Sequence, residues 1–63
     1  MRTYAVLYNK ETGIFNIIYK DENELQWWVL TTVDTVDVND GEDTAKLIVE
    51  ALNMREQKIH NGR

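Results

Sequence analysis

The chain has 63 residues, enough for one domain spanning residues 1–63. A domain of this size buries only about 60% of the surface that its unfolded chain exposes. With no cysteine and a single histidine, His60, it has neither a disulfide nor a His/Cys zinc site to stabilise it, so association with another chain is the expected support. The net charge of −4 argues against binding to duplex DNA, and no apolar run approaches the length of a membrane span.

The first two predicted elements are strands at residues 3–8 and 14–19, where β-forming residues dominate. Asn9 to Gly13, between them, is polar and ends in glycine, as hairpin loops of four or five residues do. The longer loop, of five residues, would pair Leu7 with Phe15 and Ala5 with Ile17.

Residues 1–4 lack the layout of a signal peptide and begin with Met1, which predicts a complete small cytoplasmic protein.

A third segment, residues 26–38, is rich in Trp, Val and Thr and is predicted to be strand. Trp27, Val29 and Val33 share one alternation phase, whereas Val36 and Val38 lie in the opposite phase. A change of phase indicates a bulge or a break. We therefore expect an irregularity near Asp34–Thr35, giving either one long bent strand or two short ones.

The last predicted element is a helix from about Glu42 to about Gln57. Asp40 is the expected N-cap, and the acidic residues that follow it lie where the helix dipole favours negative charge. Four apolar residues recur at i, i+3, i+4 and i+7, typical of one buried face: Ala45, Ile48, Val49 and Leu52. The predicted fold is α+β, an antiparallel meander of three strands, or four short ones, with one C-terminal helix packed on one face.

One helix covers only one face of such a sheet, so apolar residues are expected on the other face. The predicted pairing places Tyr4, Val6, Tyr8 and Ile18 there, and because Trp27 and Trp28 are adjacent, one of them must also point away from the helix. Aromatic patches of this kind mark interaction sites. The alternative is that a bent sheet or a loop buries them. The expected contact residues are Tyr4, Tyr8, Ile18, Trp27 and Trp28.

The helix carries a second apolar row beside the first, formed by Leu47, Ala51 and Met54. Together the two rows exceed the narrow stripe that a surface helix on a small sheet requires. Either the meander surrounds the helix deeply, or Leu47 and Met54 contact another chain. Homodimerisation is one expected outcome.

The residue types needed for common catalytic chemistry are missing. The chain has no Ser and no Cys, and its only His lies close to the C-terminus. The three glycines are far apart, so no phosphate-binding loop is formed. A calcium loop around Gly41 would place Val36 and Val38 at ligand positions. We predict no enzymatic activity, no catalytic residues, no cofactor and no metal.

An acidic patch lies between the third segment and the helix: Asp34, Asp37, Asp40, Glu42 and Asp43. It is interpreted either as a solvated turn with a helix cap, or as an imitation of a phosphate backbone that blocks a nucleic-acid-binding protein. In a further alternative, the aromatic sheet face stacks single-stranded bases, although few basic residues accompany it.

The stretch Ala45-Lys46-Leu47-Ile48-Val49-Glu50-Ala51-Leu52-Asn53, entered from Glu42-Asp43, resembles the closing helix of many short tailed-phage accessory proteins. The preceding hairpin and Trp-bearing strand are similar in outline. The resemblance implies a phage-encoded accessory protein, and some such proteins bind and inhibit a host protein. The predicted function is therefore a non-enzymatic protein–protein interaction module acting on a host protein in the host cytoplasm.

Overall fold

The computed structural model describes residues 1–34 and 37–61, which form one antiparallel sheet and one helix. The sheet order is β1-β2-β3, and the helix α1 follows the third strand. This is the predicted α+β meander. The elements are β1 (Arg2–Asn9), β2 (Ile14–Asp21), β3 (Trp28–Val33) and α1 (Val38–Asn61).

The β1–β2 pairing differs from the predicted pairing by one residue. Tyr8 lies opposite Phe15, and Val6 lies opposite Ile17. The predicted partners of Phe15 and Ile17 were Leu7 and Ala5. Both are wrong, since each lies one position before the residue that is observed there. A shift of one residue exchanges the two faces of a strand. The alternate residues Tyr4, Val6 and Tyr8 therefore share the face of Phe15 and Ile17.

The length of the hairpin loop explains the difference. Asn9 pairs with Ile14, which leaves a loop of residues 10–13 instead of the five-residue loop that the predicted pairing requires. The backbone N–H of Gly13 donates to the carbonyl of Asn9 at 2.8 Å, and Gly13 has a φ of 72°. Glycine adopts this left-handed conformation without the steric cost that a side chain would add.

The third strand is shorter than predicted and contains a bulge at a position that the sequence analysis did not predict. Ile17 pairs with Thr31 but Ile18 pairs with Val29, so Leu30 is an extra residue without a partner on β2. The two faces of β3 therefore exchange at Leu30. The predicted irregularity near Asp34–Thr35 falls partly outside the described residues, and the strand has already ended at Val33.

The helix begins four residues earlier than predicted and ends four residues later. Asp37 is the N-cap in place of Asp40: its side-chain Oδ1 accepts from the N–H of Asn39 at 2.8 Å, and its carbonyl accepts from the N–H of Gly41 at 3.0 Å. Asp40 lies in the first turn, where its charge favours the helix dipole. The sequence-based assignment of Asp40 as the cap is therefore wrong, because the chain becomes helical directly after Asp37.

The core lies between the sheet and the helix. Its buried side chains are Phe15 and Ile17 from β2, Val33 from β3 and Ala45 from α1, and Ile17 is 0% exposed. Val6 and the predicted helix residues Ile48, Val49 and Leu52 pack against this cluster. In the described part of the chain, no helix has the combination of length and hydropathy needed to cross a membrane.

Candidate functional site

The helix closes part of one edge of the sheet. Asn53 accepts from the backbone N–H of Tyr4 at 3.0 Å through Oδ1 and donates to its carbonyl at 3.2 Å through Nδ2. Glu56 accepts from the backbone N–H of Arg2 at 2.9 Å. These bonds replace those that a neighbouring strand would make with the outer edge of β1. β3 forms the opposite edge of the sheet.

The face of the sheet turned away from the helix carries an apolar row across its centre, with polar residues around it. A row of Ala5, Ile18 and Val29 crosses the three strands, and Leu7 lies beside it on β1. Leu7 is 54% exposed and Val29 is 60% exposed. We call this surface the open face: Thr3, Ala5, Leu7, Asn9, Ile14, Asn16, Ile18, Lys20, Val29 and Thr32. Lys20 is its only charged residue.

The two tryptophans lie on different sides of the sheet. The ring of Trp27 is 5.4 Å from Nζ of Lys20, which places it beside the open face. Trp28 pairs with Tyr19 on the helix side, and its Nε1 donates to Oε2 of Glu24 at 2.9 Å. They are 39% and 46% exposed, so neither is enclosed by the rest of the chain.

Tyr4 and Tyr8 do not contribute to the open face, contrary to the predicted aromatic patch. Tyr8 packs on Phe15 with ring centroids 4.5 Å apart, and Tyr4 lies 6.4 Å from Tyr19. Both pairs are on the helix side, as the observed pairing requires. Among the predicted sheet contacts, the open face therefore brings together Ile18 and Trp27, with Trp28 at the opposite surface.

The second apolar row of the helix is exposed. Leu47 is 67% exposed and Met54 is 55% exposed, and Ala51 between them is exposed as well. Next to them is a shallow, open hollow between side chains, lined among the described residues by Ala51, Met54, Arg55 and Lys58. All four come from α1, so the hollow is a feature of one helix surface.

The acidic residues lie around the start of the helix. Asp37 caps it, and Glu42 forms a 2.7 Å ion pair with Lys46 that raises the pKa of the lysine. Asp34, Asp40 and Asp43 are exposed. No group of three or more potential metal ligands is found among the residues that the structure describes.

An ion pair joins the outer ends of β1 and β2. Nε of Arg2 donates to Oδ1 of Asp21 at 2.7 Å, and the guanidinium lies 4.4 Å from the centre of the Tyr19 ring. This hydrogen bond is the main cause of a lowered pKa of the Asp21 carboxyl and of a raised pKa of Arg2. Both side chains are partly solvent-exposed, so the pair contributes little to stability.

Sequence reasoning missed Leu7 and Val29, the most exposed apolar residues of the open face. The five-residue loop predicted from the sequence pairs Leu7 with Phe15 and so places Leu7 on the helix side, whereas the observed four-residue loop places it on the open face. The available signal was Gly13, which ends a four-residue loop when Asn9 is counted as a strand residue. Val29 belongs to the alternating apolar set of the third segment, but that alternation alone does not show which face of the sheet it occupies.

Comparison of the chain with protein-family models, with curated proteins and with solved structures yields no match.

Proposed function

We propose that the protein is a non-enzymatic interaction module that binds another protein through the open face. The observation that supports this proposal is the exposed apolar row across all three strands, with Leu7 and Val29 more than half exposed. Apolar surface of this kind is favourable to bury, by about 25 cal/mol for each Å² removed from water. Its near-absence of charge matches the composition of interface centres, from which charged residues are depleted.

Trp27 is the expected anchor at the margin of this surface. Its indole is partly exposed and is held beside Lys20 by a cation–π contact, so little conformational freedom is lost when a partner covers it. Tryptophan is enriched among residues that dominate binding energy. Leu47 and Met54 on α1 offer a separate exposed surface for a second copy of the chain.

The resemblance to tailed-phage accessory proteins supplies the biological part of the proposal. The partner would be a host protein, modulated or inhibited in the host cytoplasm. Binding of single-stranded nucleic acid has less support, because Tyr4 and Tyr8 pack on the helix side and leave Trp27 as the aromatic residue beside the open face. Phosphate mimicry by the acidic patch also has less support, because Asp37 caps the helix and Glu42 forms an ion pair with Lys46.

The test is affinity capture from host lysate with the wild-type chain and with Val29→Glu, followed by mass spectrometry. Val29 is exposed, so the charge should disturb binding without unfolding the sheet. We expect one dominant protein to be retained by the wild type and lost with Val29→Glu. Gln57→Glu on the exposed surface of the helix is the matched control and should retain it. Equal retention by all three chains would contradict a role for the open face.

A further inference from the structure

We propose that a second copy of the chain packs antiparallel against α1, with Leu47 of each copy inserted into the hollow of the other. This inference deepens the association of two copies that the proposed function includes. It does not use the open face, so the two surfaces are tested separately. The occupant is identified from the spacing and the charges of the helix itself.

The exposed row forms a stripe distinct from the core side of the helix. At about 100° per residue, Leu47, Ala51, Met54 and Lys58 fall within an arc of about 60°. The centre of this arc lies about 140° from the centre of the row that packs on the sheet. The helix therefore presents a second face that its own sheet does not reach.

The hollow has the spacing of a hole for a helical knob. Its lining residues, Ala51, Met54, Arg55 and Lys58, are at positions i, i+3, i+4 and i+7. Four residues with this spacing form the hole that receives one side chain from a facing helix in knobs-into-holes packing. Leu47 is the most exposed large apolar residue of the described helix and is one to three turns away along the same stripe.

A two-fold axis makes the knob and the hole complementary. If Leu47 of one copy sits over the middle of the other copy's hole, between Met54 and Arg55, the axis passes close to Ala51. Alanine at this position allows the closest approach of the two helices, at the point where they cross. Each copy then uses the same surface, as an isologous contact requires.

The charges along the helix favour the antiparallel direction. Asp40 and Asp43 lie towards its N-terminal end, and Arg55 and Lys58 lie towards its C-terminal end. With the axis at Ala51, Asp43 of one copy is level with Lys58 of the other. A parallel arrangement would instead place acidic residues beside acidic residues. Lys46, which already pairs with Glu42, points away from the stripe.

Single-cysteine variants test the geometry, because the chain has no cysteine of its own. In Ala51→Cys the two thiols meet near the axis, within the ~4–7 Å between Cα atoms that a disulfide spans. In Thr44→Cys they are about 20 Å apart along the axis, whereas parallel helices would bring them together. Gln57→Cys, exposed and off the stripe, gives the background rate of crosslinking.

Under mild oxidation we expect crosslinked dimer from Ala51→Cys well above the Gln57→Cys background, and none above background from Thr44→Cys. Crosslinking of Thr44→Cys as fast as Ala51→Cys would show parallel helices and overturn the proposal. Crosslinking of Ala51→Cys at the background rate would overturn it as well, whether the chain is monomeric or dimerises elsewhere.

A charge exchange tests the pairing independently by sedimentation of the unmodified chain and its variants. Asp43→Lys and Lys58→Asp alone should each weaken the dimer by about twofold to thirtyfold, since two symmetric exposed pairs are lost. The double variant restores both pairs and should recover most of the wild-type affinity. A double variant as weak as the single ones would contradict the pairing, and Val29→Glu should leave the dimer unchanged.

Discussion

At the scale of single residues, the start of the helix depends on Asp37. Its side chain and its carbonyl each accept a hydrogen bond from the first turn, while Asp40 contributes through its charge near the helix terminus. Asp37→Ala should reduce the free energy of unfolding by about 0.5–2 kcal/mol. Asp40→Ala should cost less, about 0.3–1 kcal/mol at low salt. Urea denaturation of both variants measures the order, and a larger loss with Asp40→Ala would contradict the cap assignment.

The Arg2–Asp21 pair should make stability depend on pH in acid. Because the folded-state pKa of Asp21 is lowered, the pair stabilises the fold above the unfolded pKa of about 3.9 and loses this contribution as pH falls through the folded value. Thermal melts from neutral pH to pH 2 should show the advantage of the wild type over Asp21→Asn shrinking below about pH 4. A constant difference over that range would show that the carboxylate is not responsible.

At the scale of elements, the pairing of β1 with β2 decides which side chains support the helix. Val6 packs against the core and Leu7 is exposed on the open face. Val6→Ala should therefore lower the free energy of unfolding by about 1–3 kcal/mol, while Leu7→Ala should change it by about 0.5 kcal/mol or less. The pairing predicted from the sequence requires the reverse order. Denaturant titration of the two variants distinguishes the two pairings.

Much of the element order was predictable because each element carries a strong local pattern. The i, i+3, i+4 spacing from Ala45 to Leu52 identified the helix, and the β-forming runs around Gly13 identified the hairpin. The pairing was not predictable in the same way. Asn9 is compatible with both a loop and a strand end, and that one residue decides which face Leu7 occupies. A local sequence pattern does not contain this long-range choice.

The bulge shows a second limit of sequence reasoning. The alternation from Trp27 to Val33 reads as a regular strand, yet Leu30 interrupts the pairing and exchanges the faces on either side of it. Thr31 thereby points to the helix side, although a polar residue at this position would be expected on the open face. The candidate surface on the helix was easier to predict, since Leu47 and Met54 follow from the helical period alone.

At the scale of the whole molecule, stability rests on a very small core. A 63-residue domain is expected to have a total stability of about 3–9 kcal/mol. Ile17 is its only fully buried large side chain in the described structure, and replacement of such an isoleucine by alanine costs about 2–5 kcal/mol. Ile17→Ala should therefore lose much of the cooperative thermal transition, seen by circular dichroism. The adjacent Ile18→Ala, on the open face, is the matched control and should retain it.

The partial closure of β1 by Asn53 and Glu56 has a consequence for how this protein behaves at high concentration. In a fibril, each subunit pairs with one neighbour on either side. Every subunit must therefore have two edge strands that are free to pair. Here the side-chain amide of Asn53 occupies a place where an incoming backbone would bond. At this part of β1 an incoming strand meets side chains in place of free backbone groups, so the addition of a further strand is disfavoured there.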